Sequence, residues 1–172
     1  MPSACEKRAG RGVAGFSLVE LMVVVMIVLV ITAIAVPSLL HARMRANEAA
    51  AVSSMKAVQT AQTMYSILYP EVGYSPSLAW LGANGSDCEN TGPHNSCLVR
   101  DEALTSGVKS GYVFEISGDG KTPSISYTLA ANPISSGFSG RCGFSSGQLG
   151  DISVISQSGS GHFTVGTSGC GD

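Results

Sequence analysis

The chain has 172 residues, enough for one modest domain plus an accessory segment. Charged residues make up 13%, against roughly 25% in an average soluble domain, and the formal net charge is −2. Its ten Lys and Arg form no basic stripe, so the charge pattern argues against a specific nucleic-acid partner, which needs clustered cations to displace counterions.

Residues 1–15 read as a hydrophilic leader, carrying Lys7, Arg8 and Arg11 against Glu6. The apolar residues concentrate just after it, between Phe16 and Leu40. From Leu21 to Val36 there is no charge, and Thr32 is the one polar side chain. Residues 16–40 therefore predict a helix long enough to cross roughly 30 Å of hydrocarbon. The cations that precede it predict a cytoplasmic N-terminus and an outward C-terminal part. A secretory signal is the simple alternative, since Ala33-Ile34-Ala35 is an A-x-A tripeptide; cutting there would release a soluble binding domain from Val36. Glu20 weighs against it. An ionised carboxylate within an apolar segment costs about 2.5–3.5 kcal/mol, a cost with no purpose in a disposable peptide.

Gly15-Phe16-Ser17-Leu18-Val19-Glu20-Leu21 resembles the processing motif of type IV prepilins and of type II secretion pseudopilins. The resemblance implies cleavage by a prepilin peptidase between Gly15 and Phe16, and N-methylation of Phe16. It also implies membrane lipid before assembly, the inner-membrane assembly machinery as a partner, and homopolymerisation with other pilin subunits. Ser17 and Val19 are mild departures from the family's usual Thr and Ile. Pro37 matches a proline common in the family and predicts a kink, because it removes one helical hydrogen bond. Glu20 is expected to act in assembly by neutralising the ammonium of a neighbouring subunit's terminus.

Beyond Pro37, Leu40, Met44, Ala51, Met55, Val58, Tyr65 and Leu68 recur with helical period, so residues 41–69 predict an amphipathic continuation of the helix. Asn47 and Gln62 interrupt the stripe. Arg43, Arg45, Glu48, Lys56 and Gln59 are assigned to the opposite face, and Pro70 ends the run. Residues 70–172 form the expected globular head. Strands are predicted at Gly111–Ser117, Ser124–Ala131, Ile152–Ser156 and His162–Val165, the first two as a hairpin. Tyr74 to Lys109 and Gly137 to Gly150 read as long loops. The fold class is α+β: a long N-terminal helix packed on a small antiparallel sheet, with the ladle shape that the pilin resemblance implies.

Four of the five cysteines, Cys88, Cys97, Cys142 and Cys170, lie in the head and predict two disulfides in an oxidising compartment. Three connectivities are open, and Cys88–Cys97 with Cys142–Cys170 is favoured because each closes a local loop. No spacing suits zinc. Asp87, Glu89, Asn90 and Asp119 do not form a calcium-loop pattern, so no metal and no cofactor are expected. His41, His94 and His162 are dispersed. Gly143-Phe144-Ser145-Ser146-Gly147 fits G-x-S-x-G without the strand-before, helix-after setting of a nucleophile elbow, and Asn84-Gly85-Ser86 is a bare sequon.

The sequence thus predicts a structural subunit rather than an enzyme: a type IV pilus component, with a type II secretion pseudopilin or minor pilin as the alternative. It would begin as a single-pass inner-membrane precursor and end in an extracellular filament, or in a periplasmic pseudopilus. Adhesion, motility and DNA uptake are not distinguished.

Overall fold

A computed structural model of the chain describes residues 15–83, 88–158 and 162–166. The leader up to Ala14, the sequon at Asn84, Asp87 and Cys170 lie outside the described residues. One helix, α1, runs over Leu18–Leu68 and continues through Pro37. By contacts the chain divides into two compact units, Met1–Leu39 and Leu40–Asp172.

In the first unit the helix buries none of its apolar surface: Leu18 is 67% and Ile34 75% exposed. Thr32 turns its hydroxyl back onto the Leu29 carbonyl (3.0 Å), which satisfies it without a partner from elsewhere.

In the second unit the helix buries one stripe, formed by Met44, Ala51, Ser54, Met55, Val58, Ala61, Gln62 and Tyr65. Steps of three, four and seven keep these side chains on one face. Leu40 and Leu68, expected on that stripe, are exposed. Glu48 and Gln59, assigned to the opposite face, are partly buried at its margin. The Glu48 carboxylate accepts from the Arg141 amide (2.8 Å), and Gln59 donates to the Gly150 carbonyl (3.1 Å) and to the Ser146 hydroxyl. These two polar residues therefore border the face that carries the sheet rather than lying opposite it.

Pro70 stops the helix, and the chain turns through Gly73 at φ +80. A Cβ there would lie 2.1 Å from the Ser124 carbonyl oxygen, so glycine permits the close pairing of this turn with Ser124. Two short helices follow in the segment read as a loop: α2 at Leu78–Leu81 and α3 at Glu102–Thr105. Each is one turn, too short to show periodicity, and is set by a local cap, Ser77 for α2 and Asp101 for α3. Asp101 also pairs with Lys109 at 2.7 Å. That bond, with the Leu104 amide, holds its carboxyl below the ordinary carboxylate range. Leu81 and Leu104 anchor these turns in the core.

The sheet has six antiparallel strands in strictly sequential order: β1 Val108–Lys109, β2 Tyr112–Gly118, β3 Tyr127–Pro133, β4 Gly143–Gly147, β5 Ile152–Ser158 and β6 His162–Gly166. Tyr112, Phe114, Leu129, Ala131 and Phe144 face inward onto Met55, Val58 and Tyr65, closing a single core. Burying each large side chain of this set contributes about 1.5–3 kcal/mol.

Two strand expectations need correction. The second strand begins at Tyr127 rather than Ser124, because Asp119 gathers the preceding residues into a turn. Its carboxylate accepts from the Lys121 and Ile125 amides (3.2 and 3.3 Å) and from the Ser124 hydroxyl (2.9 Å). Gly143–Gly147, read as loop, is strand β4, paired to β3 and β5. A strand follows it, so the G-x-S-x-G letters sit in a hairpin.

Candidate assembly segment and the head that carries it

Gly15, Phe16 and Ser17 precede the helix without regular structure, and Phe16 is 87% exposed. The first helical bond beyond them runs from the Leu21 amide to the Ser17 carbonyl (3.2 Å). Glu20 falls in the first turn of α1. A carboxylate there complements the partial positive charge of the unsatisfied helix N-terminus. It lies four positions after Phe16, so a charge on the Phe16 nitrogen would lie at the same end of the helix. From Leu18 onward the helix is long and apolar enough to cross a membrane by length and composition.

Residues 10–36 match a family model described as the prokaryotic N-terminal methylation motif. This chain carries an N-terminal methylation segment similar to that of type IV pilins. The match places Gly15, Phe16 and Glu20 inside the recognised region, together with most of the exposed apolar helix. A relative, the type IV major pilin protein PilA of Myxococcus xanthus (strain DK1622), is 33% identical over 87 residues. That alignment covers 44% of this chain and 40% of the relative, so the chain spans about two fifths of the length of that pilin.

The pilin-type segment is followed by a head whose polar contacts tie helix to sheet. Asn47, which interrupts the apolar stripe, donates to the Ser139 carbonyl (2.9 Å). The Tyr65 hydroxyl donates to the Pro93 carbonyl (2.7 Å), and the Tyr112 hydroxyl to the Cys142 carbonyl (2.8 Å). Burial pushes Tyr65 up to about 12, with Tyr69 adding to the shift, and burial raises Tyr112 further still.

Cys88 and Cys97 form a disulfide with Cα atoms 5.8 Å apart, closing the loop that carries Pro93. Beside it His94 packs edge-on to Trp80, with ring centroids 4.0 Å apart. Cys142 is 1% exposed and disulfide-bonded; its expected partner Cys170 lies outside the described residues. Among the described residues no three His, Cys, Asp or Glu side chains come together in a metal-binding group.

Sequence reading found the methylation-motif segment because its signal is local. It missed the polar residues that fix the helix to the rest of the head: Asn47 and Gln59 to β4 and its flanking loops, and Gln62 to Ser75 after the helix. Polar side chains within an apolar stripe were the one available sign.

Proposed function

We propose that this chain is a structural subunit of a type IV pilus. In this reading a prepilin peptidase removes residues 1–15 and methylates the freed Phe16 amine, and the mature chains polymerise through residues 16–40. The precursor waits as a single-pass inner-membrane protein with its N-terminus in the cytoplasm. What supports this is one combination: a fully exposed apolar helix that follows Gly15-Phe16 and holds one carboxylate, Glu20, in its first turn.

An apolar surface of that length must be covered, by lipid first and by other helices afterwards. Among helices, a mature terminus at Phe16 brings an ammonium into low dielectric. Glu20 of one subunit neutralises the terminus of the next, so each addition satisfies a charge left by the one before. Leaving one partner of such a pair alone costs more than the pair contributes, which drives addition at the right register. Head-to-tail contacts of this kind build open helical filaments. Pro37 provides a soft point in the helix, and Cys142 pairs with Cys170.

Intact mass and N-terminal analysis of the mature chain test the reading. N-methyl-Phe16 supports it, and a terminus at Val36 replaces it with a secreted domain. Recovery in sheared surface fibres identifies a pilus, whereas retention in the periplasm identifies a pseudopilus.

A further inference from the structure

One end of the head combines free cations with exposed apolar side chains. Arg43 and Arg45 are exposed and have no ion pair among the described residues, and they lie within five residues of Leu40, where the apolar run ends. The next helical turn holds the loop between β3 and β4. Asn47, four residues after Arg43, binds the Ser139 carbonyl, and Glu48, three residues after Arg45, binds the Arg141 amide. Residues three and four apart share a helix face, so the loop sits directly beyond the two arginines. Arg141 is also exposed and, among the described residues, without an ion pair, and the same loop exposes Ile134 (57%) and Phe138 (68%). Glu48 is the one acid on α1 between Arg43 and Leu68, and its carboxylate is already engaged.

We propose that this surface, Arg43, Arg45 and Arg141 around Phe138 and Ile134, docks on the phosphate layer of an anionic bilayer. The inference rests on the membrane-held precursor proposed above. Three points on the molecule favour lipid as the occupant. The surface begins where the apolar segment that needs lipid ends, about 12 Å of helix from Leu40 to Glu48 at 1.5 Å per residue. Its cations match lipid phosphates, to which their charge draws them. Its aromatic and aliphatic side chains suit the boundary between headgroups and acyl chains. Docking seats the head at a fixed depth, which fixes how much of the helix stays buried before a subunit is drawn into a fibre.

The test places the full-length precursor singly in nanodiscs of phosphatidylcholine, with and without phosphatidylglycerol. Trp80→Phe removes the native fluorophore, and Phe138→Trp reports depth through quenching by bromine-labelled lipid. We expect strong quenching in anionic discs and weak quenching in neutral ones. Replacing the three arginines by Gln should lower the quenched fraction about threefold, and replacing them by Lys should largely preserve it, since the attraction to an anionic surface follows charge.

Protection of residues 16–40 from protease, measured in the same discs, reports insertion separately. Insertion without quenching at position 138 overturns this inference and leaves the precursor reading standing. Failure to insert overturns both. Loss of water exposure at position 138 that appears only in assembled fibres, read as a blue-shifted emission, assigns the surface to a neighbouring subunit and also overturns it.

Discussion

Gln62 and Ser75 clasp each other in the core. The Gln62 amide nitrogen donates to the Ser75 carbonyl and its oxygen accepts from the Ser75 amide, both at 2.8 Å and both fully buried. The side chain thus pairs both backbone groups of Ser75, just beyond the stretch at Gly73 and Tyr74 that pairs with Ser124.

Removing that clasp leaves a buried N–H and C=O unpaired, and a cavity beside them. We expect Gln62→Ala to lower head stability by about 2–4 kcal/mol. Gln62→Leu, which fills the space, should recover only part of the loss. Thermal melts of the detergent-solubilised chain decide this; a loss below experimental error in Gln62→Ala would show that the clasp is dispensable.

A similar closeness governs Gly140. A Cβ added there would sit 2.0 Å from the Tyr112 hydroxyl oxygen, which is held by its bond to the Cys142 carbonyl. Tyr112→Phe, losing that one bond, should cost about 1–2 kcal/mol. Gly140→Ala displaces the ring itself and should cost more, about 2–4 kcal/mol. Equal melting temperatures for the two variants would contradict the ordering.

Breaking Cys88–Cys97 by replacing both cysteines with Ser should cost about 2.5 kcal/mol through loop entropy. The effect should reach Tyr65, because Pro93, its hydrogen-bond acceptor, lies in the closed loop. Hydrogen exchange should therefore rise in residues 88–97 and also around Tyr65. A rise confined to the loop would mean that the disulfide acts alone.

Alkaline pH should unfold the head through its buried tyrosines. Tyr65 is raised from 10.0 to about 12 by burial, and Tyr112 and Tyr127 are raised in the same direction. In this window the folded chain holds protons that the unfolded chain releases. The stability they contribute is complete below pH 10 and is lost as pH rises towards 12. Absorbance of tyrosinate should accordingly show part of the five tyrosines ionising together with unfolding. Ionisation of all five well before any loss of circular dichroism would refute the assignment.

Glu20→Ala should leave cleavage after Gly15 intact and stop or slow fibre formation. Mass analysis of the mature chain and the yield of sheared fibres report the two steps separately. Normal fibres from the variant would remove the proposed charge pairing.

The long helix was legible in the sequence to within two residues at either end, because an apolar run, a helical stripe and Pro70 are all local signals. The strands around Val113 and Leu129 were legible through their β-branched and aromatic residues. Strand β4 was not: Gly143, Ser145, Ser146 and Gly147 have little strand preference, and neighbours on both sides impose the conformation. The start of β3 was hidden for another reason, since the turn is built by one carboxylate, Asp119, reaching residues as distant as Ile125. At the candidate site, Gly15, Phe16 and Glu20 stood out as a contiguous motif. The residues that seat the head on its helix are far apart in sequence, and Asn47 and Ser139 meet only after folding.

The sheet is a meander in which each strand lies beside the one synthesised just before it. No strand has to wait for a distant segment to find its neighbour. The chain can zip up hairpin by hairpin against the helix that precedes it, with little slow long-range search and few raw edges left open on the way.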